Sequence, residues 1–142
     1  MYKFFLEAHS GWAYIALIAL VIAVVNALIG LSQKRVFTAN DRRIALFGLI
    51  GAHVQFALGM VLYFVSPNGF DKIRALGMGG MNAFDRLLAV EHPFTNLLAI
   101  ILITVGWSKH KRTEGKFKPL AIFYGLGLLL LLSRIPWSTW FA

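Results

Sequence analysis

Four apolar runs, none of them alternating, decide most of what this chain can fold into. They cover residues 12–31, broken only by Asn26; 44–65, with His53 and Gln55; 87–107, with Glu91, His92, Thr95 and Asn96; and 120–132. The hydrocarbon core of a bilayer, about 30 Å thick, needs about 20 consecutive apolar residues as a helix. The first three runs meet that length. The fourth reaches it by extending from Phe117 through Ser133 and Arg134, with Pro136 stopping it. A barrel strand alternates polar and apolar side chains, so these continuous runs exclude sheet. The expectation is an all-α membrane protein with a single domain over residues 1–142. It is an antiparallel four-helix transmembrane bundle with spans near 8–31, 42–65, 86–107 and 118–135. No A-x-A-like cleavage site follows the first run, and Lys34-Arg35 lie after it. It therefore reads as a retained span rather than a removed signal peptide.

Charge gives the spans an orientation. Charged residues make up 14% of the chain and hydrophobic ones 58%, whereas a soluble domain carries about 25% charged residues. Lys+Arg outnumber Asp+Glu by 14 to 6, a formal net charge of +8. In a soluble protein that excess suggests nucleic acid. Here the cations gather in two loops, so the expected partner is the lipid bilayer and no nucleic acid. Residues 32–43 hold Lys34, Arg35, Arg42 and Arg43, and residues 108–119 hold Lys109, Lys111, Arg112, Lys116 and Lys118. The opposite side has Lys3, Lys72, Arg74, Arg86 and Arg134. Basic loops stay cytoplasmic. Both termini and residues 66–86 are then outside, in a bacterial inner (cytoplasmic) membrane, with Trp137, Trp140 and Phe141 anchoring the outer interface. The chain has no cysteine, so disulfides, thiolate metal sites and thiol catalysis are excluded.

Several boundaries are legible. Thr38-x-x-Asp41 has the form of a capping box for the second helix, and Asn82-x-x-Asp85 resembles one for the third. Pro119 suits a first helical turn, and Ser66-Pro67-Asn68-Gly69 is a turn. The Gly- and Met-rich residues 70–81 have room for a short interfacial helix. Gly48, Ala52, Gln55 and Gly59 recur at helical spacing, a small face on which another helix can settle closely.

Polar groups in lipid are costly unless satisfied, so each is a functional candidate. They are His9, His53, Glu91, His92, Asn96 and Arg134. His110, among loop lysines, reads as a solvated surface residue. At ~1.5 Å per residue, His53 and His92 both lie ~22 Å above the basic side and His9 ~33 Å above it. Two imidazoles facing each other in a bundle suit haem iron, which takes one histidine on each face. Matched depth favours His53 and His92 as the metal ligands. In an up-down-up-down bundle the first and third helices are diagonal, which favours His9 with His92; His9 is the third candidate. Asn96, one turn after His92, is placed to orient a ligand, and Arg134 to hold a propionate. The plainer account of the same residues is interhelical hydrogen bonding, with Glu91 and Arg134 as an ion pair.

At these residues the chain resembles a family of small four-span membrane proteins of Bacteroidota labelled cytochrome b or cytochrome b-like. The matching pieces are His9-Ser10-Gly11, Ala52-His53-Val54-Gln55, Val90-Glu91-His92, and the closing stretch from Ala121-Ile122-Phe123-Tyr124 to Ile135-Pro136-Trp137. The resemblance covers nearly the whole length and implies b-type haem bound by histidines. It departs at Gly11-Trp12-Ala13-Tyr14, where an Arg-Trp pair is expected, so a basic propionate partner is missing there.

The expected function is a haem b-binding cytochrome, an electron-transfer subunit associated with other membrane protein subunits and open to quinone as a partner. No nucleophile, carboxylate cluster or phosphate-binding glycine loop points to independent catalysis. Two alternatives stand beside it: a cofactor-free accessory or assembly subunit, and a small transporter or quinone-site protein that uses Glu91 and the histidines for protons.

Overall fold

The computed structural model describes residues 1–140, so Phe141 lies outside the described residues. These form helices α1 (Tyr2–Ser32), α2 (Ala39–Val65), α3 (Phe70–Gly80), α4 (Ala83–His110), α5 (Phe117–Ser133) and α6 (Trp137–Trp140), with no strand among the described residues. Helices α1, α2 and α4 are each long and apolar enough to cross a membrane, and α5 is a shorter apolar helix. The first helix begins at Tyr2, a turn and a half before the expected span.

The distribution of side-chain size is that of a lipid-embedded protein. Ile18, Phe47, Phe94 and Leu129 are each at least 60% exposed, on outward faces. The interior is lined instead by Ala16, Ala23, Ala27, Ala45, Ala52 and Ala99. Acyl chains cover large aliphatic faces as well as protein does, so helices in lipid are held by close backbone approach. Helix α1 settles on α2 along the small face, where a Cβ on Gly48 would stand 3.2 Å from that of Ala23. The Trp12 indole donates to the Gly51 carbonyl across the same seam (3.0 Å). Helix α4 closes on α5 equally tightly, since a Cβ on Gly127 would meet Ile103 at 2.7 Å. Contacts run α1 to α2, α2 to α4, α4 to α5 and α5 back to α1. This ring leaves α1 and α4 facing each other with little direct contact.

The helix ends follow their local chemistry. Thr38 and Asp41 form the capping box, and Asn82 Oδ1 accepts from the Asp85 N–H (2.8 Å). Helix α1 ends with the Arg35 N–H returning to the Gly30 carbonyl (3.0 Å), and Lys34 takes a left-handed conformation, φ 52°. Glycine normally occupies that position, so the sequence had no signal for it. Residues 70–80 are helical with a break at Gly77 (φ 65°). Asn26, the one polar residue of the first run, donates to Asp41 Oδ1 (3.0 Å). Asp41 also receives Arg35 Nη1 on both oxygens (3.0 and 2.9 Å) and the Thr38 N–H and hydroxyl (2.8 and 2.9 Å). His110 corrects the sequence reading. Helix α4 continues to include it and turns it inward, 1% exposed, with its ring centroid 4.5 Å from that of Trp107. Its Nδ1 bonds the Trp107 carbonyl.

One irregularity bears on the site. Residues Leu87–Glu91 of α4 form a π-helical turn immediately before His92. Pro93 has no N–H to give the carbonyl four residues back, Ala89, and its ring crowds that carbonyl. The Tyr63 hydroxyl of α2 donates to the Ala89 carbonyl instead (3.1 Å). Single π turns of this kind gather at functional positions.

Candidate functional site: two histidines across an apolar cavity

The space between α1 and α4 is a cavity of about 490 Å³. Its walls are largely apolar, with Leu17, Leu20, Phe56, Leu88, Ile100 and Leu131 among them. Polar side chains also line it, among them His9 from α1, Gln55 from α2, and His92 and Asn96 from α4. The two imidazoles stand beside each other edge-on, with ring centroids 6.1 Å apart and planes at 89°.

His92 is fixed from both sides. Its Nδ1 lies 2.8 Å from the Arg134 carbonyl, an acceptor only, so Nδ1 carries the proton and Nε2 presents its lone pair. The Asn96 amide nitrogen, one helical turn on, donates to that lone pair (3.1 Å). His9 is held more loosely. The Gln55 amide nitrogen donates to the His9 backbone carbonyl (2.9 Å) and stands 3.5 Å from its Nε2. The ring lies on α2 at Gly59, where a Cβ would come within 2.9 Å of His9 Cε1. A Cβ there would make the ring or the helix shift.

Among the described residues, three buried side-chain polar atoms have no hydrogen-bond partner: His9 Nδ1, Gln55 Oε1 and Asn96 Oδ1. All three belong to residues that line this cavity. Buried polar atoms are nearly always satisfied, and exceptions point to a ligand, ion or water.

The structure thus brings together His9, His92 and Asn96, with Arg134 joining through its main chain. The Arg134 guanidinium lies outside the cavity lining, with Nε 3.7 Å from Glu91 Oε1 and both side chains about half exposed. That is the ion pair of the plainer reading, although it is not buried. His53 is not part of the site. It is exposed on α2, with Nδ1 2.8 Å from its own Leu49 carbonyl and Nε2 3.2 Å from Thr104 Oγ1. Thr104 is twelve residues beyond His92, about 18 Å of helix rise, so the depth-matched pair does not meet. Gln55, Gly59, Tyr63 and Pro93 complete the setting and were not among the site candidates. Gln55 and Gly59 had a visible signal in the small helical face, and Pro93 in its place beside a membrane histidine.

Chemically, the arrangement offers two imidazoles, with Met60 and Tyr63 also in the lining. Among the described residues no group of three or more His, Asp or Glu gathers as for a metal ion. Two imidazole nitrogens each about 2.0–2.1 Å from one metal centre, on opposite sides of it, would put their ring centroids about 6 Å apart. Cofactor pockets run to about 300–1,000 Å³ and are mostly apolar with a few placed polar groups. No family model, curated protein or solved structure matches this chain.

Proposed function

We propose that this chain is a haem b-binding membrane cytochrome that passes electrons, with His9 and His92 as the iron ligands. The observation that carries the reading is the pair of imidazoles 6.1 Å apart across an apolar cavity. The residues fit the group on three further counts. The cavity has the size and polarity of a cofactor site. His92 gives its second ring N–H to a backbone carbonyl, as ligating histidines almost always do. Arg134 is a cation beside that carbonyl, available to a propionate in exchange for Glu91. Haem supplies the one-electron chemistry when bound; the chain supplies ligands, apolar burial and electrostatics. His9 replaces His53 in the pairing expected from depth, because His53 is turned toward Thr104.

The wider setting belongs to the same proposal. Four spans alternate in direction, with α5 as the shortest, both termini and residues 66–86 outside, and both basic loops in the cytoplasm. The membrane is the bacterial inner membrane, and the bundle serves as a subunit of a larger respiratory or redox assembly. Membership of the Bacteroidota cytochrome b-like family is part of the same proposal.

An absorption spectrum of the purified protein, oxidised and dithionite-reduced, tests it. The expected result is a Soret band and a sharp α-band that disappear in His9→Ala and in His92→Ala and persist in His53→Ala. A colourless, fully folded preparation from haem-replete cells overturns the cytochrome. Colour that survives His9→Ala and is lost in His53→Ala overturns the pairing alone. A second reading, the cofactor-free accessory subunit, is favoured by one observation: both ring nitrogens of His92 already have partners within the chain. The colourless result would leave that reading standing.

A further inference from the structure

At the basic end of the ring, the end of α1 and the start of α5 flank a second, open cavity of about 440 Å³. Lys34, Arg35, Lys116 and Lys118 line it, with Glu114 as the one acidic residue. The four cations are not equivalent. Arg35 is committed to Asp41 at 2.9 Å and stacks 5.0 Å above the Phe117 ring. The Lys116 ammonium donates to the His110 carbonyl (2.9 Å). Lys34 and Lys118 are exposed and make no ion pair among the described residues. The cavity therefore carries positive charge that the chain does not neutralise.

One feature sets this pocket apart from a solvated charge cluster. Beside Lys34, whose left-handed backbone closes the cap of α1, Val36 is 80% exposed, an apolar side chain standing free next to two cations. Acyl chain for Val36 and a phosphate for the lysines are the surroundings that satisfy both at once.

We infer that this pocket binds the phosphate of an anionic phospholipid headgroup, with Lys34 and Lys118 as its free cations and Val36 against the acyl chains. Basic pockets between helices near a membrane surface take such headgroups, and each lysine near an anionic surface adds about fivefold in affinity. The site is separate from the histidine cavity and independent of haem.

Native mass spectrometry of the full, detergent-solubilised protein with phosphatidylglycerol, phosphatidylcholine and inorganic phosphate is the test. Phosphatidylglycerol should remain bound, with phosphatidylcholine retained far less. Lys34→Gln and Lys118→Gln should each weaken retention about fivefold. Lys34→Gly should weaken it as much while the protein melts no lower, since glycine relieves the left-handed residue. That variant separates lost binding from lost folding. Arg43→Gln with Arg112→Gln, which removes two charges from the same two loops outside the pocket, should leave retention unchanged. An equal loss in that control, equal retention of phosphatidylcholine, or displacement of the lipid by inorganic phosphate at matching concentration overturns the assignment.

Discussion

Two polar clusters sit among the helices of this protein, and they are resolved in opposite ways. At the basic end, Asn26, Arg35, Thr38 and Asp41 form a closed set in which the carboxylate accepts five hydrogen bonds from three residues, and the Asp41 N–H donates back to the Thr38 hydroxyl. In the cavity, His9, Gln55, His92 and Asn96 hold one another only in part, and three of their atoms are left without partners. Both clusters incur the cost of polar groups in an apolar medium. A chain that can close one such set completely could close another. The open set is therefore read as a place kept for something else, and the closed set as architecture.

The largest effect that sharpens this contrast is expected at Asp41. Replacing Asp41 with Ala strands Arg35, Asn26 and the Thr38 N–H together, and should cost about 3 kcal/mol of stability. Thermal unfolding in detergent measures it, and the loss should be the same with and without haem. The open cluster should behave differently. If haem fills the cavity, loading at a hundredfold over its dissociation constant adds about 2.7 kcal/mol. The melting temperature of the wild-type protein should then rise with haem, while His9→Ala and His92→Ala should not respond. An Asp41→Ala variant that melts like wild type, or a His9→Ala variant that still gains stability from haem, breaks the distinction.

A smaller effect is expected at Gly59. Its missing Cβ is the space occupied by the His9 ring, 2.9 Å from the Cβ position. Gly59→Ala forces the ring or α2 to shift and should cost about 2 kcal/mol, as overpacked sites do. Because the displaced group is a ligand under the proposed function, the reduced α-band should move or broaden as well. An Ala variant with unchanged melting temperature and unchanged spectrum would show that the His9 position is not set by α2.

Much of the fold was legible in the sequence and the register of the site was not, for reasons that particular residues make plain. The apolar runs, the Thr38–Asp41 box and the Asn82 cap are local, and local chemistry reproduced them. Depth counting placed His53 level with His92 because it followed backbones and ignored side chains. A helical side chain leans toward its own helix's N-terminus, and the His53 ring does so, folding back to Leu49. In the proposed alternating topology α1 and α4 share a direction and α2 opposes them. His9 and His92 then lean the same way, while His53 leans away from both. His110 was misread for a related reason: a helix that continues one turn further converts a loop residue into an interior one.

The smallest effect concerns how α4 presents His92. Tyr63 donates to the carbonyl that Pro93 cannot serve, so the two residues belong to one device on opposite sides of a seam. Tyr63→Phe alone should cost about 1 kcal/mol, the net worth of one hydrogen bond. Pro93→Ala restores an N–H to the helix and removes the ring that crowds Ala89. With that donor back, the Tyr63 hydroxyl matters less, so the double variant should lose less stability than the two single variants added together. A coupling of about 0.5 kcal/mol or more between them, measured as a double-mutant cycle in thermal or denaturant unfolding, is expected. Strict additivity would mean that the π turn before His92 is held by its own helix alone, and that α2 plays no part in aiming the imidazole. The same cycle read on the α-band separates aim from stability. If Tyr63 serves the site, Tyr63→Phe shifts the spectrum in the Pro93 background and leaves it nearly unmoved in Pro93→Ala.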